Sequence, residues 1–345
     1  MSPFRVGITH DFAPDGHIGG WIEEPVGELL APLSELECTF LPDMGAEIDA
    51  AELVGYDAVI SGQLTWTAES VAGVDRLALI AHWGIGLDKI DLNAATGNDI
   101  LVTNSPSSAT HESVAESALT FMLALATRLF EKDRLTKQGR ALEARQLPGT
   151  LLRDRVIGTV GLGATARKLV EYLRPLGPLR LLAHDPYVTA DVAAAMGVQL
   201  VDLEVVMAES DYLVVMCPLT DETRGLISAE LLRTMKPSAY LLNVARGEIV
   251  NQVALVEAID IGRIAGAALD VSDPEPSEIG DPILSKSNII TTGHAMAWTS
   301  EGLRAACEVP CRAVADLYAG RLPEHMVNRD VLVRAAFRAK LERRR

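Results

Sequence analysis

The sequence is short of cysteine and of positive charge, and each shortage excludes classes of protein. Its 345 residues hold four cysteines, none in a Cys-x-x-Cys pair, so neither a disulfide framework nor a cysteine metal site is indicated. We predict four free thiols, no bound metal and a reducing, cytoplasmic location. Hydrophobic residues make up 48% of the chain, which excludes a largely disordered protein.

The shortage of positive charge is greater over most of the chain than the net charge of −16 indicates. Residues 334–345 hold six basic side chains and one acid, a charge of +5, so the preceding 333 residues carry −21. An acidic surface repels a phosphate backbone, so nucleic acid is not an expected partner. We interpret the basic end as a solvated, frayed tail rather than as a partner-binding arm.

Long apolar runs are also missing. No uncharged apolar stretch reaches the ~18 residues of a membrane-spanning helix, and the nearest to one, residues 113–127, contains Glu116. The N-terminal residues lead directly into an apolar, strand-like segment without the pattern of a secretory leader. We therefore expect no membrane association.

What the sequence does contain is a regular alternation of short apolar runs with helical stretches. The runs predict strands over residues 5–8, 38–41, 58–60, 77–81, 100–103, 155–160, 180–184, 212–217, 239–244, 265–269 and 288–292. We also predict a long, mostly apolar helix over 112–132, a connection over 132–152 and a closing helix over 301–319. This alternation is typical of an α/β protein with doubly wound parallel sheets, and the length suits two domains.

The sharpest local motif is a glycine-rich turn between a predicted strand and a predicted helix over 165–173. It reads Gly-x-Gly-x-x-Ala at residues 161–166. Gly161 allows a tight turn, Gly163 lets the backbone approach a pyrophosphate, and Ala166 keeps the helix close to the strand. The N–H groups at the start of that helix attract phosphate. The motif alone is weak evidence, but its position between strand and helix indicates dinucleotide binding.

An acid follows at the end of the next predicted strand, 24 residues after Gly161. The Asp185 carboxylate can accept hydrogen bonds from the ribose hydroxyls of an adenosine, and it repels a 2′-phosphate. This favours NAD over NADP as the cofactor. The alternative is that Asp185 only begins a turn before Pro186.

Three more predicted strands each end in a polar residue with a chemical use: Arg246, Asp270 and His294. The carboxyl ends of strands face the ligand crevice in an open parallel sheet, so these side chains should gather there. Histidine can remove or supply a hydroxyl proton during hydride transfer, and Glu275 can orient it. Arg246 can hold a carboxylate through two parallel hydrogen bonds. Taken singly, each residue also has an ordinary structural explanation.

With these residues in view, the sequence resembles the D-isomer-specific 2-hydroxyacid dehydrogenase family over roughly residues 50–330. The motifs that carry the resemblance are specific as a set: the glycine turn, His184-Asp185-Pro186, Cys217-Pro218-Leu219-Thr220, Asn243-Val244-Ala245-Arg246-Gly247, Leu269-Asp270-Val271, Glu275-Pro276, Thr292-Gly293-His294, the segment 83–91, and Asn104-Ser105-Pro106 followed by Val114-Ala115-Glu116.

The resemblance implies an α/β fold of two Rossmann-like or flavodoxin-like lobes, each a doubly wound parallel sheet, with the site in the cleft between them. The substrate domain is expected over residues 1–105 and 296–333, the NAD-binding domain over 106–295, and the basic tail over 334–345. The family is usually dimeric, so we expect a homodimer that pairs through the NAD-binding domain near Glu116.

The resemblance also implies a role for each site residue in the interconversion of a 2-hydroxy acid and a 2-keto acid. His294 is then the acid/base, Glu275 its partner, and Arg246 the residue that orients the substrate. The substrate carboxylate is held by the backbone amides of Gly84, Ile85 and Gly86. The NAD contacts come from Gly161, Gly163, Ala164, Thr165, Asp185, Cys217, Pro218, Thr223, Val244, Ala245, Arg246, Asp270 and His294, with Asp270 at the nicotinamide carboxamide.

The substrate is less defined than the reaction. The resemblance disfavours formate because glutamate, not glutamine, stands at Glu275. The segments 63–66 and 82–87 offer no Lys or Arg for a substrate phosphate, which leaves Lys89 or a second subunit as the alternative source of one. Gly293 replaces the proline that is commonest before the histidine. Trp66, Trp83 and Trp298 either line an apolar pocket or belong to the core. The alternatives are an NAD(H)-sensing, corepressor-like protein on the same fold and phosphite oxidation.

Overall fold

The computed structural model describes residues 3–342, which divide into two compact units. Unit 1 consists of the residues up to Thr110 together with those from Ser300 onward, and unit 2 is His111–Thr299. These boundaries lie within five residues of the predicted ones at 105 and 295. Residues 334–342 belong to unit 1 instead of forming a separate segment.

The described residues form twelve strands, all in parallel sheets, and thirteen α-helices. The strands are β1 Phe4–Ile8, β2 Leu36–Phe40, β3 Ala58–Ser61, β4 Leu79–His82, β5 Leu101–Thr103, β6 Val156–Val160, β7 Arg180–His184, β8 Gln199–Leu200, β9 Tyr212–Val215, β10 Tyr240–Asn243, β11 Gly266–Leu269 and β12 Ile289–Thr291. The helices are α1 Glu23–Leu29, α2 Leu92–Gly97, α3 Ser108–Thr127, α4 Leu129–Lys137, α5 Ala141–Arg145, α6 Ala164–Leu173, α7 Ala190–Ala195, α8 Leu203–Glu209, α9 Ala229–Leu232, α10 Gln252–Asp260, α11 Pro282–Ser285, α12 Ser300–Tyr318 and α13 Ala335–Glu342.

Unit 1 contains a five-stranded sheet with the order β2-β1-β3-β4-β5, in which every pairing is parallel. This is the flavodoxin-like order. Every residue of β3 and β4 is buried, because the central strands of a parallel sheet are covered on both faces. The β-branched and aliphatic residues of these strands therefore read as continuous apolar runs.

Unit 2 contains a seven-stranded parallel sheet with the order β12-β11-β10-β9-β6-β7-β8. The order reverses between β6 and β9, and ligands of such sheets lie at the carboxyl ends of the strands beside that reversal. The expected α/β fold of two doubly wound parallel sheets is confirmed. Strand β8 was not among the predicted strands, because its two residues are too few to show a hydrophobic period.

Helix α3 covers one face of the unit 2 sheet. Its buried side chains include Ala118, Phe121 and Met122, which join a cluster with Leu242 of β10 and Ala268 of β11. Among the described residues, no single helix is both long and apolar enough to cross a membrane. Helices α3 and α4 together reach the required length and apolar composition, but they are bent by 57° relative to each other.

The predicted helix over 112–132 and the connection over 132–152 were wrong in their boundaries. Arg128 adopts a left-handed conformation (φ +56°), which ends α3, and its guanidinium pairs with Glu131 at 2.7 Å. The chain then continues as α4 and α5. Leu129 and Phe130, directly after the break, are apolar although each is 54% exposed. They extend the apolar pattern of the sequence beyond the end of α3, which made the predicted helix too long.

The expectation of a frayed tail was also wrong. Residues 335–342 form α13, and the Phe337 side chain is 1% exposed. The buried Lys340 ammonium donates to the carbonyls of Leu77, Asn98 and Asp99 at 2.8, 2.9 and 3.1 Å. The basic composition hid this helix, because Phe337 and Lys340, three residues apart, form its buried side. Residues 343–345 lie outside the described part of the chain.

Candidate active site

The glycine turn lies between β6 and α6. Gly161 has φ +100°, and a Cβ atom there would lie 2.9 Å from the Cys217 backbone nitrogen, so both the conformation and the close approach require glycine. A Cβ on Gly163 would meet no atom within 4 Å. Gly163 therefore faces open space at the start of α6, where the first N–H groups of the helix, those of Ala164 and Thr165, lack intrahelical acceptors and are available to a phosphate.

The Asp185 carboxylate follows β7 and holds two backbone N–H groups. One oxygen accepts from Leu162 in the glycine turn at 2.7 Å, and the other accepts from Tyr187 at 2.9 Å. The turn predicted as an alternative is thus present. Each carboxylate oxygen has a second lone pair, so the same group can also accept from ribose hydroxyls. Its bond to Leu162 couples the acid to the glycine turn.

The segment after β10 is fixed from within. The Asn243 side chain donates to the Arg246 carbonyl at 2.8 Å and accepts from the Ala245 N–H at 3.1 Å. The half-buried Arg246 guanidinium donates to the Ala245 carbonyl at 2.8 Å. A Cβ on Gly247 would lie 2.0 Å from the Ser272 carbonyl oxygen, so the segments after β10 and β11 touch there. Val244 and Ala245 are placed on this same segment.

Asp270 follows β11, and its side chain is 4% exposed. One carboxylate oxygen accepts from the Thr292 hydroxyl at 2.6 Å and from the Met296 N–H at 3.0 Å, while the Asp270 carbonyl accepts from the His294 N–H. Asp270 therefore holds the segment that carries His294. The predicted role of Asp270 is a contact to the nicotinamide carboxamide, and its bond to Thr292 was not predicted. The signal for it was the position of Thr292 directly after β12.

His294 and Glu275 are brought together. The imidazole Nδ1 lies 2.7 Å from the Glu275 Oε1, and each side chain is 32% exposed. Because a carboxylate only accepts, Nδ1 carries the proton of this bond and Nε2 is left for a ligand. Gly293 and His294 have φ of +61° and +59°. Proline is locked near −65°, which accounts for glycine rather than proline at position 293.

The remaining predicted cofactor residues lie after β9. Burial raises the pKa of the half-buried Cys217 thiol to about 11. The Thr223 hydroxyl donates to the Pro218 carbonyl at 2.7 Å, which closes a turn beside it. The four cysteines are free thiols, as expected. Residues 84–86 lie in unit 1, after β4, whereas every other predicted site residue lies in unit 2.

The three tryptophans have different surroundings. Trp66 is 2% exposed, and its indole N–H donates to the Ser61 hydroxyl at 2.7 Å, so it belongs to the core of unit 1. Trp83 is half-buried and meets Phe12 edge to face at 6.2 Å. Trp298 is half-buried in unit 2. Of the three, Trp66 is therefore removed as a candidate for lining a pocket.

A seven-stranded parallel sheet with a glycine turn at its reversal point and an acid after the next strand defines a dinucleotide-binding α/β protein. Residues 119–296 match the family description "D-isomer specific 2-hydroxyacid dehydrogenase, NAD binding domain". The chain belongs to the D-isomer specific 2-hydroxyacid dehydrogenase family, and unit 2 is its NAD-binding domain. The predictions of the family and of NAD as cofactor are confirmed.

Relatives and solved structures agree with this assignment. D-3-phosphoglycerate dehydrogenase from Archaeoglobus fulgidus is 36% identical over 281 residues, which cover 78% of this chain and 53% of that protein. Glyoxylate reductase from Korarchaeum cryptofilum is 34% identical, with coverage of 77% and 80%. The TT0316 protein from Thermus thermophilus superposes with a TM-score of 0.81 at 29% identity, covering 94% of this chain and all of that one. The chain spans about half the length of the phosphoglycerate dehydrogenases that it matches.

Proposed function

We propose that the protein is an NAD-dependent dehydrogenase that interconverts a D-2-hydroxy acid and a 2-keto acid. The observation that carries this proposal is the His294–Glu275 hydrogen bond of 2.7 Å in a domain of the NAD-binding family. It leaves one imidazole nitrogen available as a proton donor and acceptor. When bound, the nicotinamide supplies or accepts the hydride.

Each residue of the site has a separate task in reduction of the keto acid. His294 gives the proton on Nε2 to the carbonyl oxygen as the carbonyl carbon is reduced, and in the reverse direction it takes the hydroxyl proton. Glu275 keeps the ring oriented and balances the imidazolium charge. Arg246 binds the carboxylate and carbonyl oxygens of the substrate, because its planar guanidinium offers two parallel N–H groups.

We further propose that the substrate carries no distal phosphate. The segments 63–66 and 82–87 contain no Lys or Arg. The Asp11 side chain, 5% exposed, accepts from the Gln63 N–H at 2.6 Å, so a buried carboxylate lies directly beneath the first of these segments. A second anion placed there would be repelled. A small or apolar 2-keto acid is the substrate class that these residues favour.

A homodimer that pairs through unit 2 is part of the proposal. Five large apolar side chains between residues 123 and 151 are 41–72% exposed: Leu123, Leu129, Phe130, Leu142 and Leu151. Exposed apolar side chains that recur along one segment, here residues 123–151, are the kind of surface that an interface covers. A cytoplasmic location and the absence of nucleic-acid and membrane partners stay predictions. They are based on the cysteine pattern, the acidic composition and the lack of long apolar runs respectively.

The test is an NADH-oxidation screen over pyruvate, 2-oxobutyrate, phenylpyruvate, glyoxylate, oxaloacetate and 3-phosphohydroxypyruvate. We expect turnover of at least one unphosphorylated acid and little with the phosphorylated one. His294→Gln should lower kcat by about 10²–10⁴-fold, the usual contribution of a general acid, while fluorescence titration shows that NADH still binds. His325→Gln, in unit 1, is the matched control. NADH binding without turnover of any acid would instead favour the NAD(H)-sensing alternative.

A further inference from the structure

The segment after β4, residues 82–86, is held by two residues that follow β5. The Ser105 hydroxyl donates to the His82 carbonyl at 2.7 Å, and the Ser105 N–H donates to the Gly84 carbonyl at 2.8 Å. The Asn104 side-chain amide donates to the Ile85 carbonyl at 3.0 Å. Three carbonyls within four residues are therefore turned towards Asn104 and Ser105.

This arrangement fixes where the N–H groups of the segment point. In a trans peptide the N–H lies opposite the carbonyl of the preceding residue. Holding the Gly84 and Ile85 carbonyls therefore turns the Ile85 and Gly86 N–H groups to the other side. Within residues 3–342, the N–H groups of Gly84, Ile85 and Gly86 have no protein acceptor. Gly84 has φ +101°, a conformation that lets successive N–H groups form an anion-binding concavity.

We propose that the side chains of Asn104 and Ser105 are positioning residues that set the backbone of residues 84–86 to bind the carboxylate of the substrate. The inference rests on the proposed function, because it takes the substrate to be a carboxylate. Neither side chain needs to touch the substrate. Each acts through a carbonyl of the segment, and so determines carboxylate affinity rather than the hydride step.

The two positioning residues are themselves firmly held. Ser105 is fully buried, and the Asn104 N–H donates to the His325 carbonyl at 3.3 Å. The preceding strand β5 is held by the same C-terminal segment, because the Asn328 side chain accepts from the Val102 N–H at 2.7 Å. A buried serine hydroxyl has little freedom to find another acceptor, so its bond to His82 is a stable part of the fold.

The experiment compares Asn104→Leu and Ser105→Ala with matched controls from unit 1. Asn98→Leu removes an amide that donates to the Ala94 carbonyl at 2.9 Å, and Ser70→Ala removes another fully buried serine hydroxyl. Three quantities are measured on the full chain: kcat and KM for an accepted 2-keto acid, Kd for NADH, and Kd for oxamate. Oxamate is a 2-keto acid mimic that accepts no hydride, and its binding to the NADH complex is followed by calorimetry.

We expect each test variant to raise KM and the oxamate Kd together by about tenfold, equivalent to about 1.4 kcal/mol. Changes in kcat should stay within about twofold, the NADH Kd should stay constant, and both controls should match the wild type. Unchanged KM and oxamate Kd in folded test variants would overturn the inference while leaving the proposed function standing. If the test variants bound oxamate more weakly than the wild type, but the wild type reduced no 2-keto acid, the inference would stand and the proposed function would be overturned. Wild-type protein that neither binds oxamate nor reduces a 2-keto acid would overturn both.

Discussion

Thr292 offers the sharpest test of how unit 2 holds its acid/base residue. Its hydroxyl donates at 2.6 Å to the Asp270 carboxylate, which is 4% exposed and whose other bond on that oxygen comes from the Met296 N–H. Thr292→Val keeps the shape of the side chain and removes the donor. The buried carboxylate then loses a bond to a charged group, which costs about 1.5–3 kcal/mol.

Two consequences should follow from this loss. For a unit of 150–250 residues each kcal/mol lowers Tm by about 2–4 °C, so a loss of about 1.5–3 kcal/mol should make Thr292→Val unfold roughly 3–12 °C below the wild type. The His294 N–H is bonded to the carbonyl of the same aspartate. Because a displacement of about 1 Å can cost 10²-fold in rate, we expect kcat to fall at least about tenfold while the NADH Kd changes little.

Thr234→Val is the matched control, because its hydroxyl donates to the Leu231 carbonyl at 2.7 Å on an exposed turn of the same unit. Thermal unfolding followed by circular dichroism and steady-state NADH oxidation measure the two effects. If Thr292→Val and Thr234→Val shared the same Tm and the same kcat, Asp270 would not be holding the His294 segment, and the reasoning would be refuted.

Three further outcomes are expected. Gly163→Val should weaken NADH binding by more than about tenfold in a fluorescence titration, because the valine side chain occupies the space beside the start of α6 where the pyrophosphate is expected. Tm should not change, because that side chain meets no protein atom. Unchanged NADH affinity would place the pyrophosphate elsewhere. Lys340→Met should lower the free energy of unfolding by about 1.5–3 kcal/mol, because three carbonyls lose a charged donor. Lys89→Met, at an exposed position, should leave it unchanged. Urea unfolding measures both, and equal midpoints for the two variants would contradict the role given to α13. Burial raises the pKa of Cys217 to about 11, so only about 0.1% of this thiol is thiolate at pH 8. Its alkylation by iodoacetamide should therefore be slow at pH 8 and should accelerate up to about pH 11. Rapid alkylation of Cys217 at pH 8 would contradict its burial.

The fold was predictable from the sequence where burial alone sets the pattern. The residues of β3, β4, β6 and β9 are all buried, so each strand reads as a predominantly apolar run between turns. The glycine turn was predictable for a similar reason, because Gly161 cannot be replaced at φ +100° beside Cys217. In these places one local requirement determines the residue.

Features that depend on distant partners were not predictable. Lys340 is buried because carbonyls of residues 77, 98 and 99 surround it, and nothing within its own segment indicates them. Thr292 reads as an ordinary strand residue until Asp270, 22 positions earlier, is placed beside it. The end of α3 at Arg128 belongs to the same class, because the apolar pattern continues through two exposed residues. Such choices are set by tertiary contacts rather than by propensity.

An acidic protein can bind anionic ligands because its surface charges and its hydrogen-bond donors act over different distances. The charge of −21 over residues 1–333 is spread over a solvated surface, and its field is screened within ~8 Å at physiological salt. The donors at the proposed sites act at hydrogen-bonding distance: the N–H groups at the start of α6, those of residues 84–86, and the Arg246 guanidinium. Backbone N–H groups carry no net charge and do not titrate. Anion binding built chiefly from them is therefore compatible with an acidic protein, and Arg246 is the single permanent positive charge that the proposed mechanism requires.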